Sequence, residues 1–381
     1  MNHNKKILVI GAGIAGPTVC YWLKKYGFSP TLIERSRQIR TGGHAVDIRG
    51  IAANIVKKMG IYNTIIEKRT SIMSTRHVNA EGRILLEEHG EQARFREGDD
   101  IEIVRGELVN ILLQTIPDVP CFFHKEIVDI VQKDHFVEVI FKSGTIEHYD
   151  LVVGADGLHS STRSISFEPK DYQFLNLNSY ISIFSIPNYL NLSRTEVSFG
   201  KDEKYMAINS DKNPDGAIAI FAFRSDRIFN DVTDDKRQKK CLRDLFDDFG
   251  WESNNVLAHM DNSKDFYFDV MAQIKMPSWT KNRVALLGDA GYCASPLSGQ
   301  GTNLAIVGAY ILAGELKLAK GNYSVAFERY NEIMRLFVEP NQELGILIGE
   351  NFLSSCEISK ETIEQRSNVI MQKIKMAANA I

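Results

Sequence analysis

The run Lys6-Ile7-Leu8-Val9-Ile10-Gly11-Ala12-Gly13-Ile14-Ala15-Gly16 limits what this chain can fold into more than any other stretch. A short apolar strand feeds three glycines spaced G-x-G-x-x-G, and a helical pattern follows from Ala15 to Tyr26. Gly11 permits a tight turn out of the strand, Gly13 lets backbone approach a pyrophosphate, and Gly16 lets the helix lie close to the sheet. Phosphates are expected on the helix N-terminus, where free N–H groups and the macrodipole favour negative charge. Thr31-Leu32-Ile33-Glu34 then reads as a second strand ending in an acid. Glu34 falls roughly 20 residues on, where a carboxylate holds ribose hydroxyls. The glycines, Ala15 and Glu34 are therefore candidate dinucleotide contacts.

At 381 residues the chain exceeds one average core, which predicts a large domain carrying a smaller one. A net charge of −3 gives no footprint for nucleic acid or an anionic membrane. Cys20, Cys121, Cys241, Cys293 and Cys356 are scattered without a C-x-x-C pair, which points to a reducing cytoplasm and away from disulfides or zinc. Lys5 and Lys6 ahead of the apolar run imitate a secretory leader, but cleavage there would destroy the glycine turn. The mature chain is expected to begin here. Residues 302–314 are apolar but too short for a membrane span.

After Glu34-Arg35, the stretch Gly42-Gly43-His44-Ala45-Val46-Asp47-Ile48-Arg49-Gly50 reads either as backbone that approaches a ligand or as an ordinary loop. Residues 72–78 and 83–88 read as paired strands, and Arg105 opens a helix that Pro117 ends. A cation at a helix start is electrostatically misplaced, so Arg105 has an anionic or carbonyl partner elsewhere or is a plain surface arginine. Leu151-Val152-Val153-Gly154-Ala155-Asp156-Gly157 is a second strand ending in glycines around an acid. Segments 178–187, 194–199, 203–209, 217–224 and 266–274 predict an antiparallel sheet layer. Arg283 to Ala290 is a third strand, ending in Gly288-Asp289, and Pro296 to Asn303 is a glycine-rich lead into a long apolar helix. Helical patterns fill 323–353, interrupted at Pro340, and a last helix covers about 360–378.

Three strand-ending glycine-acid turns with one fingerprint imply one long ligand touched at several points. No G-x-S-x-G elbow, P-loop or metal-spaced cluster is present, so the chemistry is expected to reside in a cofactor.

These motifs resemble the class A flavin-dependent monooxygenases. The resemblance rests on Gly11-x-Gly13-x-x-Gly16 with Glu34-Arg35, Asp156-Gly157 leading to Arg163, and Gly288-Asp289 followed by Pro296 and Gly299-Gln300-Gly301-x-Asn303. Within that family Gly42–Gly50, Ser278–Lys281, Gly288–Cys293 and Ser295–Gly301 are most similar to the tetracycline destructases. The resemblance implies an α/β fold like that of para-hydroxybenzoate hydroxylase: a Rossmann-like FAD-binding domain with an inserted antiparallel-sheet substrate domain and C-terminal helices. Residues 1–71, 101–171 and 276–320 would build the first, 72–100 and 172–275 the second, and 321–381 the helices.

It further implies that FAD is held by Gly11, Gly13, Ala15, Gly16, Glu34, Arg35, Asp47, Arg105, Val128, Asp156, Asp289, Pro296, Gly299, Gly301 and Asn303. Arg40 would meet NADPH. The implied activity is oxygenation and inactivation of tetracyclines with NADPH and O2 through a flavin C4a-hydroperoxide, in a cytoplasmic monomer. Leu297 would approach the flavin, and Phe184, Met206 and Phe223 are candidate pocket walls, although taken one by one each reads more readily as plain sheet core. The last helix would either cap its neighbours or gate the substrate entrance.

Two positions depart from the family pattern, Tyr292 where relatives carry histidine and Gly308 where they carry aspartate. Neither touches Asp289, so FAD binding is expected to stand, but both weaken what the resemblance implies about substrate geometry near Tyr292. An aromatic or polyketide hydroxylase and a non-oxygenating flavoprotein are the alternatives. A halogenase is disfavoured because Trp22, Trp251 and Trp279 form no Trp-x-Trp pair.

Overall fold

Lys6–Ile10 lies inside a six-stranded sheet whose order is Thr280–Lys281, Val284–Leu286, Leu151–Gly154, Lys6–Ile10, Ser29–Ile33, Cys121–Phe122. All neighbours run parallel except the first pair. The computed structural model describes residues 5–39, 44–90, 98–226, 234–351, 366 and 368–373. Ile10 pairs with Gly154, and Gly154 with Leu286. The three glycine-acid turns therefore leave the carboxyl ends of three adjacent strands, where open α/β sheets place ligands. The strands are buried on both faces, as parallel sheets require. The helix Ala15–Lys25 packs against Gly301–Leu318, with Trp22 edge-on to Tyr310 at 4.8 Å.

A second sheet has seven strands in the order Tyr267–Lys275, Gln173–Pro187, Gly216–Arg224, Lys204–Ser210, Thr195–Lys201, Ser74–Val78, Ile84–His89. Its pairings are antiparallel apart from Thr195–Lys201 with Ser74–Val78. Strand parity divides its side chains. Tyr180, Phe184, Phe199, Met206, Phe221 and Phe223 share one face and pack on Leu242, Phe246, Val256 and Leu257 of the helices Asp235–Phe246 and Ser253–His259. The other parity, including Ile181, Ile183, Tyr205, Ile220, Tyr267 and Asp269, looks toward the parallel sheet: Asp269 is joined to His159, which follows the Asp156-Gly157 turn.

Pro340 does not interrupt its helix, which runs unbroken over Tyr323–Asn351. A proline removes one backbone donor and crowds the preceding turn. Here buried neighbours hold the helix in place. Gln342 Nε2 donates to Ile274 O (2.8 Å) and Cys293 O (3.3 Å), and Asn341 Nδ2 donates to Phe337 O (2.8 Å). Of the last expected helix, 366 and 368–373 are described, and Ile370 packs on Leu344 and Leu347.

Candidate active site

The first turn shows why its glycines are needed. Gly11 has φ +106°, and a Cβ there would lie 2.4 Å from Ala155 O. A Cβ on Gly16 would lie 1.9 Å from Gly11 O, so helix and turn touch backbone to backbone. Gly13 is different, since its Cβ would face only the Arg105 guanidinium, at 3.6 Å. Glu34 closes the turn by accepting from Ala12 N–H (2.9 Å) and Ser36 N–H (2.8 Å). Arg35 is exposed beside it, and Val128, half exposed, follows Lys125, whose N–H donates to Glu34 O. The helices from Ala15 and from Gly301 both begin without a side-chain cap or an acid in the first turn. Their first N–H groups are thus open to an anion or a carbonyl oxygen.

At the second turn Asp156 is engaged by its own loop, accepting from Ser160 Oγ (2.5 Å), Thr162 N–H (2.9 Å) and Thr162 Oγ1 (3.0 Å). Buried Arg163 donates to Leu158 O (2.7 Å) and to Ala290 O (2.8 Å), the residue after Asp289. The second motif thereby sets the position of the third. At the third, Asp289 Oδ1 lies 3.8 Å from the place a Cβ of Gly301 would take. Gly299 is exposed in the left-handed region with open space around it, Pro296 is exposed and Leu297 half-buried. Asn303 Oδ1 accepts from Arg49 N–H (2.9 Å) and its amide donates to Gln300 Oε1 (2.8 Å). That ties the segment containing Asp47, which pairs with Arg49 at 2.9 Å, to the start of the long helix.

Asp289, His44 and Tyr267 share a feature that marks a cleft. Each is ringed by protein closely enough that desolvation is the largest influence on its pKa, yet each keeps accessible surface. Side chains set in a concave surface show both. Desolvation raises the Asp289 carboxyl, with the Arg105 charge opposing it. Desolvation, then Arg105, pushes His44 down to about 4, so its imidazole is neutral near pH 7. Arg105 acts on all three groups, and its own N–H donates to His44 O (3.1 Å). Exposed Arg105 thus shares its surroundings with Asp289, His44 and Tyr267.

His44, His159, Tyr267 and Asp269 were not singled out as site residues from the sequence. Strand parity in 266–274 marks two of them, setting Tyr267 and Asp269 on the face opposite Phe266 and Phe268, and no local pattern marks His44 or His159. Arg40 lies outside the described residues.

The expected pocket walls Phe184, Met206 and Phe223 need correction. All three are fully buried in the core between the antiparallel sheet and its helices, on the parity turned away from the cleft. The departures at 292 and 308 lie in the core and meet each other. Tyr292 is fully buried, its ring edge-on to Trp279 at 5.1 Å and its hydroxyl 3.0 Å from Tyr330 Oη. A Cβ on Gly308 would lie 2.0 Å from the Tyr292 hydroxyl, so the glycine makes room for the tyrosine.

These residues fit a flavin dinucleotide. Two uncapped helix starts, a ligand-facing Gly13, an open Gly299 and a cleft holding a cation and a carboxylate match a long ligand with a pyrophosphate, hydroxyls and a polar ring edge. Asp289→Ala should weaken FAD retention by roughly one to two orders of magnitude, the worth of one charge-assisted hydrogen bond. It should not unfold the protein. A carboxyl raised by burial opposes folding at neutral pH, so its removal relieves that strain. Equilibrium dialysis against FAD measures this, and unchanged affinity would remove Asp289 from the site.

Among the described residues there is no cluster able to hold a metal ion and no helix long and apolar enough to cross a membrane. Residues 4–331 match the FAD binding domain family. A flavin-dependent monooxygenase of Legionella longbeachae is 55% identical over 381 residues, covering 100% of this chain and 98% of that protein. The crystal structure of tetracycline destructase Tet(51) superposes with a TM-score of 0.91 at 55% identity, over 99% of this chain and 98% of that one. Tetracycline destructase Tet(55) gives 0.90 at 51% identity, over 100% and 98%. FAD-bound CtdE, at 18% identity and a TM-score of 0.75 over 98% of each chain, shares the fold. With its glycine turns, its cleft and its full-length likeness in agreement, the chain belongs to the FAD-dependent monooxygenase family, in the group that contains the tetracycline destructases.

Proposed function

We propose that this protein oxygenates and thereby inactivates tetracyclines in the cytoplasm, using NADPH and O2. The observation that carries the reading is the cleft between the two sheets, floored by Asp289 and Arg105 and faced by the half-exposed apolar parity Ile181, Tyr205 and Ile220. Bound FAD would supply the redox chemistry: NADPH gives a hydride, one oxygen atom of O2 enters the substrate and the other leaves as water.

The chain's own work is positioning and exclusion. The Ala15 helix start and Gly13 would receive the pyrophosphate, Glu34 the adenosine ribose, Asp289 the ribityl chain and the Gly301 helix start the pyrimidine edge. Arg105 offsets the negative charge of Asp289 and presents a cation to the same space. The apolar sheet face keeps water from the reacting centre, which suppresses side reactions. The resemblance to the destructases favours tetracyclines over simple phenols as substrate.

Incubation with NADPH, ¹⁸O2 and tetracycline should give a product carrying one labelled oxygen. Label arriving from water, or NADPH oxidation yielding only hydrogen peroxide, would overturn the reading in favour of a hydrolase or a non-oxygenating flavoprotein. Labelled phenols with untouched tetracycline would keep the chemistry and change the substrate.

We also propose that the last helix closes the cleft. A Cβ on Gly349, near the end of Tyr323–Asn351, would lie 3.1 Å from Leu297 Cδ1, and Ile370 packs on Leu344 and Leu347 of the same helix, so the described part of the last helix attaches to an element that lies beside Leu297. Truncation after Ser359 should retain FAD and NADPH oxidation while raising peroxide release in the presence of tetracycline. Unchanged coupling with a lower melting temperature would make it a cap.

A further inference from the structure

Tyr267 and Asp269 stand on the cleft-facing parity of the strand Tyr267–Lys275, opposite Ile183 and Ile181 of the neighbouring strand. The Tyr267 hydroxyl donates to Asp269 Oδ2 at 3.2 Å. Asp269 Oδ1 accepts from His159 Nε2 at 2.9 Å and from Val270 N–H at 2.8 Å. His159 belongs to the other layer, on the loop that Asp156 shapes, and its ring stacks on Phe174 with centroids 6.1 Å apart. The carboxylate is therefore fixed from both layers, with its side chain 19% exposed against 57% for His159.

A phenol has one proton to give. With that proton held by Asp269, the Tyr267 oxygen has only acceptor capacity left. No other protein hydrogen-bond partner meets it among the described residues, and Tyr267 is a half-buried residue within reach of the Arg105 and Asp289 charges. An acceptor without a donor in a shielded cleft is satisfied best by a ligand that brings one.

We propose that Tyr267 is a specificity-determining contact, an obligate hydrogen-bond acceptor for a phenol or enol hydroxyl of the substrate, and that Asp269, held by His159, is the positioning residue that makes it so. A ligand presenting a bare carbonyl or ether at that point leaves two acceptors face to face, and the cleft rejects it. Tetracyclines carry a run of phenol and enol hydroxyls along one edge, which matches this demand. The assignment rests on the cleft being the substrate site, as proposed above.

The test uses holoenzyme and tetracycline, with binding followed by fluorescence titration and FAD per chain by absorbance. Tyr267→Phe should bind tetracycline about 10-fold more weakly with FAD content unchanged, the effect of one lost hydrogen bond in a shielded site. Asp269→Asn should also weaken binding. Its amide donates to the Tyr267 oxygen, turning the tyrosine proton toward the ligand and making the contact a donor. The double variant should be no weaker than the worse single one, because Asp269 acts through Tyr267.

Wild-type holoenzyme that fails to bind tetracycline would overturn the reading of the cleft and this assignment with it. Wild-type binding with Tyr267→Phe inside twofold would overturn Tyr267 alone. Additive losses in the double variant would show that Asp269 acts structurally and overturn its positioning role.

Discussion

Gly308→Ala is expected to destabilise this protein by about 3 kcal/mol, the upper end for overpacking a well-filled core. The added methyl would stand 2.0 Å from the Tyr292 hydroxyl, 3.2 Å from its Cζ and 3.1 Å from Leu287 Cδ1. The tyrosine has no direction of retreat. Trp279 meets its ring edge-on, and its hydroxyl lies 3.0 Å from that of Tyr330, which also donates to Leu286 O at 2.9 Å. Tyr292→Phe removes the nearest atom of the clash at the cost of one buried hydrogen bond. Tyr330 keeps its carbonyl partner, so that change alone should cost about 1 kcal/mol. The double variant should then be more stable than Gly308→Ala alone, a coupling that urea denaturation of the four proteins measures. Additive destabilisation would show that the two positions are independent. The cleft side chains are not part of this contact, so FAD content should follow stability and nothing more.

Much of the fold was legible because period-2 and period-3.6 patterns are local. The strand into Gly11 names its own partners, since a parallel sheet around a glycine turn needs buried apolar runs, and Leu151–Gly154 and Val284–Leu286 were plain in the sequence. The three glycine-acid turns were readable for the same reason, since a strand running into glycine and an acid is a local pattern, and Gly11 and Gly16 sit where a Cβ would strike backbone. The substrate side was not. Phe184, Met206 and Phe223 looked like walls because aromatic and large apolar side chains suit a pocket as well as a core. Only register, with Phe184 beside Ala219 and Tyr180 beside Phe223 over Phe246, shows which face is covered by helices. Asp269 and His159 meet across 110 residues, a pairing no local pattern announces. Tyr292 and Gly308 read as separate departures in the sequence, and only the fold shows that the glycine leaves room for the tyrosine.

The two glycines of the first turn should fail in different ways. Gly16→Ala places a methyl 1.9 Å from Gly11 O and 3.2 Å from Leu32 Cδ1. Backbone cannot yield as a side chain can, and Gly11 is itself fixed, its φ of +106° set against Ala155 and its N–H bonded to Ile33 O at 2.8 Å. The helix must tip away from the sheet, which unseats Val19 and Leu23 from the core and moves the N–H groups that would receive the pyrophosphate. Gly16→Ala should therefore be purified colourless, with a melting temperature well below wild type that excess FAD does not restore. Gly13→Ala meets only the flexible end of Arg105 at 3.6 Å, so it should fold with a near wild-type melting temperature measured without FAD. Its methyl occupies the side from which a pyrophosphate approaches, and FAD affinity should fall by at least 10-fold. Melting temperature and bound FAD per chain separate the two outcomes. A Gly13→Ala protein that binds FAD as tightly as wild type would place the pyrophosphate elsewhere. A Gly16→Ala protein with normal stability would show that the helix can shift without loss, contrary to the backbone contact that holds it.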